Sequence, residues 1–339
     1  MEQYRFGIIG CGMIAQIHAK AILSIPGARL AAVYDAVSAG AYALAQQCGC
    51  RVCTSVQEML EDPGIDIVSI CTPSGTHAEL AVAAARAGKH VVAEKPLAIT
   101  AESARAVVRA QEQYGVQICV ISQLCFSPAV QAVRKAVAEG AFGKLVLNSL
   151  SMRYYRSAEY YQKGGWRGRW ATDGGGALMN QGIHGVHLLR YLCGPVRSVR
   201  AFSKTLYHSI EVEDTLCAVL EFESGALGTI EASTAVQPGS SRRIELGGTL
   251  GSVTLTEDTI TQWQSPTPAP VLCGGWEIGA ANDPAAVGIA GHRLQLENLL
   301  AAIEGRQRLL VDAREGCATV ELVLAIYDAA RSGETVIVR

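Results

Sequence analysis

The first third of the chain alternates short apolar runs with helical patterns, and this alternation is what most constrains the fold. The strand-like runs end in turn or polar residues and read YRFGIIG, RLAAVYD, DIVSICTP, KHVVAEKP and VQICVIS. Helical patterns such as HAELAVAAARAG lie between them. Alternation of this kind is typical of parallel strands joined by crossover helices. We therefore expect residues 1–122 to form a doubly wound sheet that binds ligands at the carboxyl ends of its strands.

A glycine motif follows the first of these runs. GIIGCGMIA places Gly10, Gly12 and Ala15 in the G-x-G-x-x-G/A arrangement, between a predicted strand and a predicted helix. The first glycine allows a tight turn, the second lets the backbone approach a pyrophosphate, and the helix start binds the phosphates. Asp35 ends the next strand, 25 residues after Gly10, and can accept hydrogen bonds from both ribose hydroxyls. The motif predicts a bound dinucleotide, and Asp35 favours NAD over NADP.

After residue 122 the pattern changes to longer strand-like stretches, several of them joined by glycine turns. They read KLVLNSLSMRYY, VRSVRAFSKTLY, TLCAVLEF, GALGTIEAST, RRIELGG and GSVTLTE. These stretches predict a second domain, residues 123–339, built on a largely antiparallel sheet. Helices are expected near residues 128–139, 292–304 and 313–332, a loop over 262–282 and a last strand in TVIVR. The last helices either stay with this sheet or pack back on the first domain.

The stretch DGGGALMNQGIHGVHLLRYL, residues 173–192, carries an amide and two imidazoles behind a run of glycines. On an α-helix, Asn180, His184 and His187 are spaced by four and three residues and share one face. The glycines at 174–176 are poor helix formers that let another group approach the backbone closely. A buried polar stripe with ordinary hydrogen bonds is one interpretation of this face. A functional site is the other, and the glycine run favours it.

Composition argues against several classes of partner. The 339 residues are 49% hydrophobic and 18% charged, which is typical of a compact globular protein. The 29 basic and 31 acidic residues nearly cancel, so we expect binding neither to nucleic acid nor to membranes. We see no signal peptide and no apolar run of the roughly 20 residues that cross a bilayer. The 11 cysteines are scattered as buried thiols would be, and we expect a cytoplasmic protein without a metal site.

Several segments together resemble the Gfo/Idh/MocA family of NAD(P)-dependent oxidoreductases. The resemblance is carried by GIIGCGMIA, Asp35, CTPSGTHAELAVAAARAGKHVVAEKPLA, GGGALMNQGIHGVHLL and the closing LQLENLLAAIEGRQRLLVDAREGCATVELVLAIYDAARSGETVIV. It implies a Rossmann domain and a second domain whose open, mainly antiparallel sheet often forms oligomer contacts. It also implies hydride transfer between nicotinamide C4 and a carbinol carbon of a sugar, sugar acid, nucleotide sugar or cyclitol. We therefore expect a homo-oligomer, a dimer or a tetramer, formed through that sheet.

The resemblance also assigns roles to individual residues. Lys95 in the EKP motif and His184 match the family's catalytic lysine and histidine, and Asn180 lies where many members carry an aspartate. A cis peptide is often found before the proline of EKP. The cofactor is expected to contact Gly10, Gly12, Met13, Ile14, Asp35, Thr72, Pro73, His77, Glu94, Lys95 and Gln123. His187 stands where an aspartate is common, so the role of that aspartate does not carry over.

The substrate is expected to contact Lys95, Asn180 and His184 and an aromatic, arginine-rich loop, YYRSAEYYQKGGWRGRW. Flat aromatic rings suit a sugar, and arginines suit a carboxylate or phosphate, which makes Tyr155 and Arg167 candidates. Arg169 is the alternative arginine, and packing between subunits is the alternative interpretation of the loop. The segment WRGRWATDGGGALMNQGIH is most similar to members that act on nucleotide sugars or sugar acids.

Reversible alcohol oxidation is the working hypothesis. His184 takes the hydroxyl proton, Lys95 stabilises negative charge on the same oxygen, and Asn180 orients the hydroxyl. Three alternatives stay open: an NAD-dependent glycosidase of the same family, a non-catalytic sugar or nucleotide sensor, and a metal enzyme that uses His184 and His187. The last lacks an evident carboxylate as third ligand.

Overall fold

The computed structural model describes residues 4–162, 165–272 and 288–338. They form two compact units, the first from residues 4–123 and 288–318 and the second from the remaining described residues. No helix among these residues is long and apolar enough to traverse a lipid bilayer.

The two units contain strands and helices in the following chain order. The strands are β1 Tyr4–Ile9, β2 Ala28–Tyr34, β3 Arg51–Val52, β4 Ile67–Ile70, β5 His90–Ala93, β6 Ile118–Val120, β7 Leu145–Arg153, β8 Val196–Lys204, β9 Thr215–Phe222, β10 Leu227–Ser233, β11 Arg243–Gly248, β12 Ser252–Thr256, β13 Thr259–Gln264 and β14 Val336–Ile337. The α-helices are α1 Met13–Leu23, α2 Ser38–Cys48, α3 Val56–Glu61, α4 His77–Arg86, α5 Ala101–Tyr114, α6 Pro128–Ala138, α7 Ala158–Gln162, α8 Trp170–Asp173, α9 Ile183–Cys193, α10 Ala290–Ile303 and α11 Ala313–Ser332. A π-helix, Ala177–Gly182, precedes α9, and short 3₁₀ turns span Ser74–Thr76 and Gln123–Phe126.

The first unit is built on a parallel sheet with the strand order β3-β2-β1-β4-β5-β6. Every neighbouring pair in it is parallel. This order changes direction between β1 and β4, which is where doubly wound sheets bind ligands. The predicted fold is confirmed, and only the two-residue strand β3 was not expected from the sequence.

The core of the first unit includes a helix from late in the sequence. Phe6 and Ile8 of β1 are fully buried together with Ala15 and Ile22 of α1. Leucines of α10 join the same cluster, namely Leu296, Leu299 and Leu300. Helix α10 therefore packs against the Rossmann-like sheet, which was one of the two arrangements left open by the sequence.

The second unit is built on a mixed sheet with the strand order β13-β12-β11-β7-β10-β9-β8-β14. The pair β7 and β10 is parallel and all other neighbours are antiparallel, as predicted. Helix α9 packs on one face, where a Cβ on Gly185 would lie 2.5 Å from the sulfur of Met152. The loop expected over residues 262–282 is partly wrong, because β13 extends to Gln264. Residues 273–282 of that loop lie outside the described part of the chain.

Candidate active site

The residues predicted to bind the cofactor follow the strands of the parallel sheet. Gly10 comes directly after β1, Asp35 after β2 and Glu94 after β5. Thr72 and Gln123 follow β4 and β6 within three residues. All of these residues therefore lie at the carboxyl edge of one sheet, where doubly wound folds bind their ligands.

Two glycines shape the turn between β1 and α1. Gly10 has a φ of +89°, and a Cβ there would lie 2.7 Å from the carbonyl oxygen of Cys71, so this position requires glycine. A Cβ on Gly12 would meet nothing within 4 Å, which leaves the backbone open to a ligand. Met13 and Ile14 form the first turn of α1, which carries neither an acidic residue nor a capping side chain. This geometry fits the pyrophosphate of a dinucleotide.

Asp35 ties this turn to the end of β2. Its carboxylate accepts hydrogen bonds from the backbone N–H of Cys11 at 2.6 Å and from that of Val37 at 2.7 Å. Each oxygen of an ionised carboxylate keeps a further lone pair, which suits a ribose hydroxyl. The side chain is partly exposed, and a 2′-phosphate would meet its negative charge. The geometry of Asp35 therefore fits NAD.

The segment after β4 combines two ligand-facing candidates with a buried histidine. Pro73 is exposed and Thr72 is partly exposed. His77 is 1% exposed, and its ring nitrogens lie 2.7 Å from the carbonyl oxygen of Pro96 and 2.8 Å from that of Thr72. Burial lowers the pKa of His77. The histidine thus links two loops of the sheet edge, and its predicted contact with the cofactor stays a prediction.

Lys95 is the exception in a buried stretch of chain. Residues 91–98 are all buried apart from this lysine, which is partly exposed. The peptide bond between Lys95 and Pro96 is cis, as the resemblance implies. The carboxylate of Glu94 is turned into the protein, where it lies 2.9 Å from Nε2 of His18. Within the EKP motif, Lys95 is therefore the side chain that a ligand can reach.

Gln123 provides a polar atom at the same sheet edge. Its Oε1 is buried and has no hydrogen-bond partner among the described residues. Gly291 of α10 packs against it, since a Cβ there would lie 3.0 Å from the Gln123 carbonyl oxygen. A buried acceptor is normally paired, and the amide N–H₂ of a nicotinamide is a donor of the right kind. The residues of this edge thus fit a nicotinamide dinucleotide.

In the second unit, the stretch that carries His184 begins as a π-helix. The π-helix spans Ala177–Gly182, and α9 starts only at Ile183. The predicted single polar face requires a continuous α-helix, and the structure departs from it. Asn180 and His187 are buried, whereas His184 is partly exposed. Short π-helical segments within helices are frequent at functional sites.

The start of this π-helix is capped by two buried side chains, Glu213 and Tyr327. The N–H groups of residues 176, 177 and 178 donate to carboxylate or carbonyl oxygens of Glu213 at 2.8–3.0 Å. The N–H of residue 179 donates to the Tyr327 hydroxyl at 3.1 Å, which in turn donates to Glu213 at 2.8 Å. Burial raises the pKa of Glu213 to about 7, although these donors favour its charged form. Four consecutive N–H groups are thereby satisfied within the protein.

The glycine run makes room for the side chain of Tyr327 and for the backbone of Glu213. A Cβ on Gly175 would lie 2.2 Å from the hydroxyl oxygen of Tyr327, and one on Gly176 would lie 1.9 Å from the carbonyl oxygen of Glu213. The close approach inferred from the glycines is therefore real. The approaching groups belong to the protein and not to a substrate.

Asn180 is held by polar neighbours. Its Nδ2 donates to the buried carboxylate of Asp173, and its Oδ1 accepts a hydrogen bond from Nε2 of Gln181 at 2.7 Å. Asp173 also accepts from the backbone N–H of Gly168 at 2.9 Å. A carboxylate thus lies next to the position where the resemblance implies an aspartate, although another residue supplies it.

The two histidines of α9 have different surroundings. His184 lies in the first turn and is partly exposed, as a side chain that meets substrate must be. His187 is 4% exposed, with Nδ1 at 3.4 Å from the sulfur of Cys125 and its ring stacked on Tyr191. Burial, together with the charge of Arg190, lowers the pKa of His187 to about 3. These surroundings favour packing as the role of His187.

Arg156 and Gln181 tie the aromatic loop to this helix. The guanidinium of Arg156, which is 7% exposed, donates to Oε1 of Gln181 at 2.7 Å. Gln181 donates to the hydroxyl of Tyr160 at 2.7 Å. The guanidinium of Arg167 lies 4.6 Å from the ring centre of Tyr160 and 4.8 Å from that of Trp166. The predicted loop and the predicted catalytic helix are thus joined within one unit.

The other candidates of the loop occupy its two ends. Tyr155 is partly exposed. Arg169 is exposed at the start of α8. Residues 163 and 164, in the middle of the loop, lie outside the described part of the chain.

Comparison with known families decides the relationship that these features indicate. Residues 4–122 match the family described as "Oxidoreductase family, NAD-binding Rossmann fold", and residues 130–254 match "GFO/IDH/MocA C-terminal domain". The chain belongs to the Gfo/Idh/MocA family. The predicted family, the Rossmann fold and NAD as cofactor are confirmed, and the chain is an NAD-dependent oxidoreductase.

Several relatives of the chain are dehydrogenases with different names. Inositol 2-dehydrogenase of Rhizobium meliloti is 31% identical over 96% of this chain and 95% of its own length. The scyllo-inositol 2-dehydrogenase (NAD(+)) of Bacillus subtilis is 32% identical over 74% of this chain and 73% of its own. The crystal structure of the WlbA dehydrogenase from Bordetella pertussis, in complex with NADH and UDP-GlcNAcA, has a TM-score of 0.91. It is 33% identical, and the match covers 100% of this chain and 98% of that one.

Six residues that support the candidate groups were not predicted from the sequence. They are His18, Arg156, Asp173, Gln181, Glu213 and Tyr327, and His18, Arg156, Asp173 and Glu213 are buried polar or charged side chains. A signal was present for His18 and Tyr327, because each lies in an amphipathic helix at a position that periodicity predicts to be buried. A polar side chain at such a position requires a partner inside the protein.

Proposed function

We propose that this enzyme oxidises, reversibly, a secondary hydroxyl of a nucleotide-linked sugar or sugar acid. The relative whose structure contains NADH and UDP-GlcNAcA supports this substrate class. The aromatic loop supports it as well, because Arg167, Trp166 and Tyr160 combine a cation with flat rings. Arg167 would bind the acidic group and Tyr155 the sugar, while Arg169 is the alternative cation.

In the proposed reaction, His184 accepts the proton of the substrate hydroxyl while Lys95 stabilises the negative charge on the same oxygen. Asn180 orients the hydroxyl, and its amide is itself fixed by Asp173 and Gln181. The nicotinamide, when bound, supplies the hydride acceptor. Gly10, Gly12, Met13, Ile14, Asp35, Thr72, Pro73, His77, Glu94, Lys95 and Gln123 remain the residues proposed to line the cofactor site. We expect the affinity for NADH to come mainly from the glycine turn and Asp35, because the side chains of His77 and Glu94 already have partners within the protein and the charge of Lys95 acts on the substrate oxygen.

The observation that carries the proposal is the exposure of Lys95. It is the one side chain in residues 91–98 that is not buried, and it follows a strand at the edge that carries the glycine turn and Asp35. Because doubly wound sheets bind their ligands at this edge, the ammonium group can act on a substrate that is bound beside the cofactor.

The test follows NADH fluorescence while the purified protein is offered nucleotide sugars, sugar acids, free sugars and inositols. With the best substrate, we expect Lys95→Met to lower kcat by about 10²- to 10⁴-fold and to leave the Kd for NADH within about twofold. Lys20→Met, on the exposed face of α1, is the matched control and should behave as the wild type. Equal turnover of Lys95→Met and the wild type would contradict the assignment. Glycoside cleavage without net NADH would favour the glycosidase, and no response to any compound would favour the sensor.

We also propose that the chain forms a homo-oligomer through the open face of the second sheet. Phe202 of β8, Val219 of β9 and Leu227 of β10 are 72%, 55% and 56% exposed. The strand register brings them to one face. Phe202 pairs with Cys217 and Leu227 pairs with Glu221. These two residues of β9 lie two positions before and two positions after Val219, and alternate residues of a strand share a face. Exposed apolar patches of this kind mark interaction surfaces.

The oligomer is tested by light scattering on a sizing column. Phe202→Arg would place a charge in the patch, and we expect it to lower the mass at micromolar concentration. Tyr42→Arg is the control, since Tyr42 is 65% exposed on α2 of the first unit. A wild type that runs as a monomer, or a Phe202→Arg variant with unchanged mass, would contradict this proposal.

A further inference from the structure

The segment that carries Lys95 is held on both sides by buried histidines of the first unit. On one side, Nε2 of His18 lies 2.9 Å from Oε1 of Glu94, and Oε2 of Glu94 accepts from the backbone N–H of Lys95 at 3.1 Å. On the other side, a ring nitrogen of His77 lies 2.7 Å from the carbonyl oxygen of Pro96. The residues directly before and after the lysine are thus each bound to a histidine.

Each histidine has a second polar neighbour. Nδ1 of His18 lies 2.7 Å from the hydroxyl oxygen of Ser69 in β4. Nε2 of His77 lies 2.8 Å from the carbonyl oxygen of Thr72, and the neutral ring donates its single N–H either to this oxygen or to that of Pro96. His18 itself belongs to α1, the helix that begins at the glycine turn. The contacts therefore connect the Lys95 segment to α1, to β4 and to the loop after β4.

His18 and Glu94 pair in the interior, where their side chains are 1% and 7% exposed. Burial works against the charged imidazole, but the neighbouring Cys71 and Glu94 outweigh it and raise the pKa of His18. Burial likewise works against the carboxylate, but His18 lowers the pKa of Glu94 below its ordinary value. A buried pair of this kind contributes little net stability, whereas removal of one partner is costly. We therefore infer that the pair of His18 and Glu94 acts through the conformation that it imposes on the Lys95 segment.

We propose that His18, acting through Glu94, and His77, acting through Pro96, are positioning residues for Lys95. The inference rests on the role proposed for Lys95 in the reaction. The ammonium group is at the end of a flexible side chain of four methylene groups, so its location depends on a backbone that does not move. A displacement of about 1 Å at a reacting group can lower a rate by about 10²-fold.

A metal site is the competing interpretation of the same residues. His18, Glu94 and His292 present potential ligand atoms within 4.8 Å of one another, the only such group of three among the described residues. However, both nitrogens of His18 and both oxygens of Glu94 already have hydrogen-bonding partners in the protein. The structure therefore favours the hydrogen-bonded arrangement, and metal analysis is part of the test.

The test uses three variants of the whole enzyme. Glu94→Leu removes both contacts of the carboxylate, Glu94→Gln keeps an oxygen and the shape of the side chain, and His77→Phe keeps a ring without its nitrogens. His292→Leu is the control, because His292 is as buried as His18 and its ring lies 5.3 Å from that of His18, without a hydrogen bond to it.

We expect Glu94→Leu and His77→Phe to lower kcat by about 10²-fold while the Kd for NADH stays within about threefold. Glu94→Gln should recover most of the loss, which a merely structural defect would not predict. Hydrogen–deuterium exchange of the amides at residues 93–98 should be at least about tenfold faster in Glu94→Leu and His77→Phe. It should be unchanged in His292→Leu. The exchange measurement needs no substrate, so it reports on the segment directly.

Two results would overturn the inference. One is full kcat and unchanged exchange in Glu94→Leu and His77→Phe while Lys95→Met is inactive. The other is one equivalent of metal in the wild type that is lost in His292→Leu. If Lys95→Met were as active as the wild type, the proposed function would be contradicted. The exchange measurement would still test the contacts of the histidines separately. Faster exchange in the variants would show that the histidines hold the segment, and unchanged exchange would show that they do not.

Discussion

Replacement of Gly175 by alanine should destabilise the second unit without affecting substrate binding. The new Cβ would lie 2.2 Å from the hydroxyl oxygen of Tyr327 and 2.7 Å from Cβ of Met179. Tyr327 is not free to move aside, because its hydroxyl donates to Glu213 and accepts from the N–H of Met179. Overpacking of a fixed interior typically costs about 1–3 kcal/mol, and we expect a loss in this range.

The second variant, Tyr327→Phe, tests the same contact from the other side. It leaves the N–H of Met179 without its acceptor and Glu213 with one donor fewer, which should cost about 1–3 kcal/mol. It also removes the oxygen that the methyl group introduced by Gly175→Ala would meet first. The double variant Gly175→Ala, Tyr327→Phe should therefore lose about 1 kcal/mol less than the sum of the single losses.

Urea unfolding of the four proteins, followed by far-UV circular dichroism, gives the four free energies of unfolding. The KM for the best substrate is measured on the same samples and should be unchanged in Gly175→Ala. Additive losses would refute the contact between the glycine and Tyr327. A Gly175→Ala variant with unchanged stability and a raised KM would instead indicate that the glycine run lines the substrate site.

Two further predictions concern carboxylates near this helix. The pKa of Glu213 is raised to about 7 from an ordinary value near 4.5, so the folded state holds its proton where the unfolded state has lost it. Stability relative to Glu213→Gln should therefore fall by about 3 kcal/mol as the pH rises from about 4.5 to about 7, as measured by urea unfolding across that window. Asn180→Asp would place a second carboxylate against Asp173, so one of the two should hold a proton near neutrality. We expect the turnover of Asn180→Asp to decline as the pH rises. The double variant Asn180→Asp, Asp173→Asn should lack this dependence. Identical pH profiles of the single and the double variant would show that the two side chains do not interact.

The parallel sheet was predictable because each of its longer strands is a continuous apolar run that ends in a polar or turn residue. The runs DIVSICTP and KHVVAEKP mark β4 and β5, and the residues that follow them lie at the sheet edge as predicted. Strand β3 has two residues and leaves no pattern to detect. The π-helix at Ala177–Gly182 was not predictable, because the apolar residues of this stretch fit an α-helix as well.

The predictable part of the site consists of residues whose signal is local. Lys95 follows a strand within a short motif, whereas Glu213 and Tyr327 reach the π-helix from 35 and 148 positions along the chain. The glycines at 174–176 indicated that some group comes close to the backbone. The sequence does not indicate which group, because a substrate and a distant side chain require the same lack of a Cβ.

The beginnings of two helical segments show where an anionic group of a ligand can bind. At α1, Gly12 has open space beside it and the first turn has no acidic residue, so its N–H groups remain available to phosphates. At the π-helix, the carboxylate of Glu213 and the hydroxyl of Tyr327 already take up the N–H groups. An acidic substrate therefore cannot use the start of the second segment and needs a cation elsewhere. For this reason, we expect the acidic group of such a substrate to bind an arginine of the aromatic loop. The variant Arg167→Lys, which keeps the charge but removes the planar fork of the guanidinium, tests this expectation.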